Sequence, residues 1–199
     1  MRKQGILRAV LSCMLLPLVG MVACKGHAPV PPHVTQPAYA QAVQLGGVEN
    51  MHKVSAEHYR SGQPTPKGFA ELERHGIRTV FNLREYHKDT KKAAHTKLHL
   101  VAYPVSASDI TETDIVNCLR IISTSPKPVL VHCWHGSNRT GIIVAAYRIV
   151  YQGWSVEQAE KELRDATYGF REYWYKDLVT LLRNTDWAAV KKRLNDTKP

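Results

Sequence analysis

The segment HCWHGSNRTG, residues 132–141, places a thiol and a guanidinium six positions apart around a glycine. It follows the apolar run KPVLVHC, residues 127–133, and leads directly into a helical pattern. A loop between a buried strand and a helix can direct its backbone N–H groups and the positive end of the helix dipole at one point. The segment therefore predicts a cradle for a tetrahedral oxyanion, with a thiolate at its centre.

Cys133 and Arg139 are the residues of this loop that could do chemistry. Positive dipoles and a nearby arginine favour the thiolate form of a cysteine, which is the nucleophile. The planar guanidinium of Arg139 can hold two phosphate oxygens and stabilise charge in the transition state. Gly136 permits a backbone conformation closed to most residues, and Gly141 would let the helix pack close to the strand.

The other residues of the loop are expected to bind substrate or to support the loop. His132 is predicted to fix the loop by hydrogen bonds, and Thr140 to donate its hydroxyl to the sulfur. The substrate-binding set, which uses mainly backbone N–H groups, comprises Trp134, His135, Gly136, Ser137, Asn138 and Arg139.

Strands alternate with helices in the surrounding sequence. Apolar, β-branched runs predict strands at 77–84, 98–105 and 127–133, with one or two short strands within 51–63. Capping signals open helices at Thr65, Thr111 and Ser155, the last two with capping-box spacing to Asp114 and Gln158. This order predicts an α/β domain with a central, mostly parallel sheet, flanking helices and extra C-terminal helices.

The N-terminus has the pattern of an export signal. Arg2, Lys3 and Arg8 precede the apolar run 9–23, which ends in MVAC and resembles a bacterial lipobox. We expect a signal peptide of the lipoprotein type at 1–24, lipid attachment at Cys24, a Pro-rich tether at 25–44 and the domain at 45–199. The expected location is periplasmic and membrane-anchored; the alternative is an uncleaved N-terminal anchor.

Charge and cysteine content narrow the function classes. The chain holds 27 basic and 17 acidic side chains, and residues 1–24 contain three of the basic ones and no acidic one, so the remainder is net +7. This charge suits phosphates, acidic peptides or a membrane surface. Cys118 lies in an amphipathic helical pattern and is expected to be a buried thiol. We expect no metal, cofactor or nucleic-acid partner.

The loop also resembles a family signature. HCWHGSNRTG is similar to the H-C-x-x-G-x-x-R-[ST]-G motif of the cysteine-dependent protein tyrosine and dual-specificity phosphatases. The flanking segments YRSGQPTPKGFAELERHGIRTVFNLR and RTGIIVAAYRIVYQGWSVEQAEKEL resemble bacterial members, so the likeness covers about residues 50–180. It implies a dual-specificity-phosphatase-like fold with a strand–P-loop–helix site. It also implies hydrolysis of phosphate monoesters, above all phosphotyrosine in proteins, through a phosphocysteine.

The same resemblance implies a general acid on the segment AYPVSASDITETD. Asp109 matches best, with Glu112 and Asp114 as alternatives. The alternative role of Asp109 is to cap the helix that follows.

Other functions and roles remain open from sequence alone. They are a phosphatase of inositol phosphates or phosphoinositides, a non-catalytic phosphate-binding module and a rhodanese-like sulfurtransferase. Arg60 and Arg84 could face the pocket, but structural ion pairs are the expected role of each. The aromatic segment TYGFREYWYKDL is expected to pack in the core, with lining of the substrate cleft as the alternative.

Overall fold

The computed structural model describes residues 38–196. The predicted signal peptide, Cys24 and most of the predicted tether therefore lie outside the described residues. The folded part begins earlier than residue 45, because Ala40 is buried and Gln41–Ala42 already forms a strand. The predicted boundary is wrong by several residues, since a two-residue strand carries no hydrophobic alternation that a sequence could reveal.

A six-stranded sheet forms the centre of the described chain, in the order β1-β2-β3-β6-β4-β5. Strands β3, β6, β4 and β5 are parallel, whereas β1, β2 and β3 pair antiparallel. The strands are β1 Gln41–Ala42, β2 His52–Lys53, β3 His58–Ser61, β4 Thr79–Asn82, β5 His99–Ala102 and β6 Val129–His132. The predicted α/β class with a mostly parallel sheet is confirmed.

Six α-helices accompany the sheet in the described residues: α1 Pro66–Arg74, α2 Glu112–Thr124, α3 Asn138–Tyr151, α4 Val156–Leu163, α5 Glu172–Asn184 and α6 Trp187–Asn195. The predicted capping signals are used, because Thr111 and Ser155 form capping boxes with Asp114 and Gln158. A short 3₁₀ helix, Ala166–Tyr168, precedes α5. No helix within 38–196 is long and apolar enough to cross a bilayer.

Both faces of the central strands are buried, as a parallel sheet requires. Val80 and Leu130 pack with Phe69 and Leu72 of α1 on one side. Phe81 and Val131 face the other side, in the cluster formed with α2, α3 and the C-terminal helices. Strand β6 is thus fixed from both sides and ends at His132, where the functional loop begins.

Cys118 is fully buried in α2, as expected. Burial raises the pKa of its thiol well above the ordinary value. This thiol therefore stays protonated near neutral pH and is inert.

Candidate active site

The loop of residues 133–137 connects the end of β6 to the first residue of α3, Asn138. His132 is the last residue of β6 and pairs in register with Ser61 of β3 and Asn82 of β4. The loop therefore starts at the carboxyl ends of three neighbouring parallel strands. In open α/β sheets this edge is where ligands bind.

Gly136 holds the loop against the end of β3. Its φ of +75° lies in the left-handed region, and an added Cβ would lie 2.5 Å from the carbonyl carbon and oxygen of Ser61. The position thus excludes any other residue on both conformational and steric grounds.

Arg60 supports the loop from below. Its side chain is buried, its Nη2 donates to the Gly136 carbonyl at 2.8 Å, and its guanidinium lies 4.2 Å from the centre of the Tyr168 ring. Burial lowers the pKa of Arg60 to about 10, against the opposing effect of Glu162, Tyr168 and Cys133. The expectation of an ion pair at Arg60 is wrong, because its guanidinium contacts a carbonyl and an aromatic ring instead.

Arg84 supports the loop from the side. Its guanidinium lies 4.0 Å from the centre of the Trp134 ring, and its Nη1 donates to Gln63 Oε1 at 2.6 Å. Burial and the charge of Arg139 lower the pKa of Arg84. Here too a stacked aromatic ring and an amide replace the expected ion pair.

His132 is fully buried beneath the loop, between two hydrogen-bond acceptors. Its Nε2 lies 2.8 Å from Asp89 Oδ2, and its Nδ1 lies 3.1 Å from the Cys133 carbonyl oxygen. Each ring nitrogen thus lies within hydrogen-bond distance of one of these two neighbours. The ring thereby fixes the first peptide of the loop.

Asp89 is a site residue that sequence reasoning missed. It is buried, and its second oxygen accepts from Gln63 Nε2 at 2.9 Å. Burial alone raises the pKa of a carboxyl group, but the hydrogen bonds from His132 and Gln63 hold the pKa of Asp89 below its usual range. The available signal was a single acid within the basic run HKDTKK.

A pocket of about 190 Å³ opens above the loop. It is lined by Ala107, Cys133, Trp134, His135, Asn138, Arg139 and Tyr175. Five residues of the predicted catalytic and substrate-binding set thus meet in one pocket, whereas Gly136 and Ser137 are buried and do not line it. Partial burial and the charges of Arg171, Arg139 and Arg84 lower the pKa of His135, so the pocket lies in positive potential.

Arg139 lies half-buried in this pocket and donates from Nη1 to the Val105 carbonyl at 3.2 Å. Asn138 is fixed beside it, because its Oδ1 accepts from the backbone N–H of Arg171 at 3.1 Å. Tyr175 interrupts α5 with a non-helical φ of −134° and ψ of 38°, and it forms part of the pocket wall. Tyr175 also packs against the hydrophobic core, so it combines the expected core packing with a place in the pocket wall.

The expectation of core packing is wrong at two other aromatic residues of this segment. Tyr173 and Trp174 are largely solvent-exposed, whereas Tyr168 is buried.

Two supporting roles differ from expectation. The Thr140 hydroxyl is buried and has no hydrogen-bond partner within the described chain, so the predicted bond to the Cys133 sulfur is not formed. The tightest neighbour of Gly141 is a helix and not the strand, since an added Cβ would lie 2.7 Å from Leu163 Cδ1 of α4 and 3.7 Å from Arg60 Nη2 of β3.

The predicted acid, Asp109, does not line the pocket. Its carboxylate is exposed and accepts from Ser108 Oγ at 3.1 Å, while Ala107 reaches the pocket instead. Asp109 does not cap α2 either, because Thr111 is the N-cap.

The alternative acids are occupied. Glu112 pairs with Arg193 at 3.0 Å, and Asp114 accepts from Thr111 and from the Tyr103 hydroxyl at 2.9 Å.

Comparison with known proteins gives consistent matches. A profile of the family described as "DSP-PTPase phosphatase fused to NAD+ Kinase" matches residues 31–179. The dual specificity protein phosphatase TpbA of Pseudomonas aeruginosa (strain UCBPP-PA14) is 34% identical over 192 residues, covering 94% of this chain and 82% of that protein. The crystal structure of P. aeruginosa TpbA in complex with pTyr matches with a TM-score of 0.73 and 29% identity, over 81% of this chain and 99% of that one.

A more distant likeness extends to yeast. The core catalytic domain of a PP-IP phosphatase from S. cerevisiae matches with a TM-score of 0.64 and 23% identity, over 77% of this chain and 95% of that one. At this identity the likeness shows the shared fold alone.

We expect Asp89→Asn to lower the free energy of unfolding near pH 7 by about 2 kcal/mol, because a buried charge-assisted hydrogen bond is lost. Since folding depresses the pKa of Asp89, its contribution is present above the ordinary value of about 4 and is lost as pH falls further. The difference in the free energy of unfolding between wild type and variant should therefore narrow below about pH 4.

Urea unfolding at pH 7 and at acid pH measures both effects. Asp109→Asn, at an exposed carboxylate, is the control and should change stability by less than about 0.5 kcal/mol. A loss of stability in Asp89→Asn that does not change with pH would contradict the lowered pKa of Asp89.

Proposed function

Because this chain belongs to the dual-specificity-phosphatase type of protein tyrosine phosphatases, we propose that it dephosphorylates phosphotyrosine in proteins through a phosphocysteine on Cys133. The observation that carries the proposal is the meeting of Cys133 and Arg139 in one pocket at the start of α3. A thiol, a guanidinium and the positive end of a helix dipole at one point suit a phosphate dianion.

The walls of the pocket support an aromatic phosphate ester. Trp134 and Tyr175 line it together with Cys133, and aromatic side chains pack well against a phenyl ring. TpbA, the relative of similar sequence and fold, has been crystallised in complex with pTyr. These points favour phosphotyrosine over inositol phosphates or phosphoinositides, which remain the second substrate class to test.

In the first proposed step, the Cys133 thiolate attacks phosphorus, the S–P bond forms and the P–O bond to the tyrosine breaks. The leaving oxygen takes a proton from the general acid. In the second step, water gives a proton to that same carboxylate and attacks phosphorus. The S–P bond breaks and releases inorganic phosphate and the thiolate, while Arg139 holds the equatorial oxygens throughout.

We assign the general acid to Asp109. The carboxylates of Glu112 and Asp114 are engaged by Arg193 and by the Thr111 cap, whereas the Asp109 carboxylate accepts a hydrogen bond from the neighbouring Ser108 side chain. Asp109 lies two residues from Ala107, which lines the pocket. The proposal therefore includes a movement of the turn at 106–110 that carries Asp109 over Cys133 when substrate is bound.

Cys133→Ser should lower kcat/KM for phosphotyrosyl peptides more than about a thousandfold, because the hydroxyl is not ionised near pH 7. Cys118→Ser, at the buried inert thiol, is the matched control and should retain activity in the folded protein. The measurement is kcat/KM for phosphotyrosyl peptides, phosphoseryl peptides and inositol phosphates. Retained activity in Cys133→Ser would refute the mechanism, and a preference for inositol phosphates would refute the substrate.

Asp109→Asn should slow hydrolysis of alkyl phosphates by about 10²- to 10⁴-fold, because their leaving groups need a proton. Hydrolysis of p-nitrophenyl phosphate, whose leaving group is acidic, should fall much less. Glu112→Gln is the control and should change neither rate. Equal rates of wild type and Asp109→Asn on both substrates would remove Asp109 from the mechanism.

We also propose that the chain is exported and carries lipid on Cys24. The support is the order of basic residues, apolar run and MVAC in the sequence. Cys24→Ser should abolish incorporation of labelled fatty acid in a bacterial host and retain the larger precursor, whereas Cys13→Ser should not. Absence of label in the wild type would favour an uncleaved anchor and contradict the proposal.

A further inference from the structure

A second cavity lies beside the catalytic pocket. It has a volume of about 440 Å³, and its lining includes Arg84, Tyr86, His87, Lys88, Lys91 and Pro104. We call these six residues the basic groove. Four of them are basic and none is acidic, while Tyr86 and Pro104 add exposed apolar surface.

The linings of the basic groove and the catalytic pocket contact each other at Trp134. Arg84 lines the groove and stacks at 4.0 Å on Trp134, which lines the pocket. The ring of His87 lies 6.1 Å from the Trp134 ring, centre to centre. A chain whose phosphorylated side chain enters the pocket can therefore pass over Trp134 into the groove.

The loop that carries the groove is fixed from beneath. Asn82 Nδ2 donates to the His87 carbonyl at 2.9 Å, and Asp89 is bonded to His132 and Gln63. Asp89 is the only acid in residues 86–97, and it is buried, whereas Lys88 and Lys91 on either side of it are exposed. Residues 86–97 thus turn their negative charge inward and their positive charges toward solvent. The other acid of this loop, Glu85, is partly exposed but does not line the groove.

Tyr86 has an unusual backbone for its residue type. Its φ is +57° and its side chain is 97% exposed. A left-handed conformation is costly for a bulky residue and is typical of sites where a function maintains it. In the basic groove this ring offers an apolar surface next to the lysines.

From this arrangement we infer that the basic groove binds an acidic peptide segment next to the phosphorylated tyrosine of the substrate. Carboxylates of the peptide would pair with Lys88 and Lys91, while an apolar side chain rests on Tyr86 and Pro104. The inference rests on the proposed function and adds a sequence preference to it. Attraction between exposed opposite charges raises the association rate and the specificity of binding, and salt weakens it.

The test compares two phosphotyrosyl peptides that differ only in their flanks, one with Asp and Glu and one with Asn and Gln. Wild type should show a kcat/KM ratio of about ten in favour of the acidic peptide at low salt. In Lys88→Gln/Lys91→Gln the ratio should fall to near one. Lys191→Gln/Lys192→Gln, which removes the same charge from exposed positions on α6, should keep the wild-type ratio.

An unchanged ratio in Lys88→Gln/Lys91→Gln would overturn the inference, as would a preference that salt does not weaken. Dissociation constants of both peptides for the Cys133→Ser protein, with and without the groove substitutions, give the same comparison without turnover. This binding measurement can contradict the role of the groove even where turnover is absent. It therefore separates an error in the proposed phosphatase activity from an error in the proposed groove. Groove-dependent binding to phosphatidylserine vesicles without discrimination between the peptides would assign the groove to a membrane surface and overturn the inference.

Discussion

The buried contact between His132 and Asp89 joins the parts of the molecule on which the site depends. His132 ends β6 and fixes the Cys133 peptide, while Asp89 comes from the loop between β4 and β5. Through Gln63 the same carboxylate is linked to Arg84, which stacks on Trp134. Three loops that are distant in sequence thus hold one another in place, and a polar network of this kind is stable only when every member has its partner.

Arg60 brings a second constraint, which is electrostatic. A buried guanidinium is costly, and the Gly136 carbonyl and the Tyr168 ring offset only part of that cost. Within the described chain its Nε and Nη1 have no hydrogen-bond partner. The negative charge of Cys133 raises the pKa of Arg60 and so opposes the effect of burial. The loop therefore lies over a positive charge as well as at a helix terminus.

The sequence was sufficient for the local features and insufficient for the distant ones. The buried strand before Cys133, the glycine at 136 and the capping boxes at Thr111 and Ser155 follow from short-range patterns, and the structure contains them. Asp89 and Tyr175 reach the site through tertiary packing, which leaves no periodic signal. Arg60 and Arg84 were expected to meet acids, but a one-dimensional pattern does not distinguish a carboxylate partner from an aromatic face or a carbonyl.

The position of Arg139 relates phosphate binding to the segment that carries Asp109. Arg139 donates from one nitrogen to the Val105 carbonyl, and a guanidinium has five N–H donors in all. It can therefore keep this contact and still present a bidentate edge to phosphate. Val105 is buried and immediately precedes the turn that contains Asp109. Arg139, which we propose binds the phosphate, thus also anchors the start of that turn, so the proposed movement of Asp109 toward Cys133 would pivot about a fixed point.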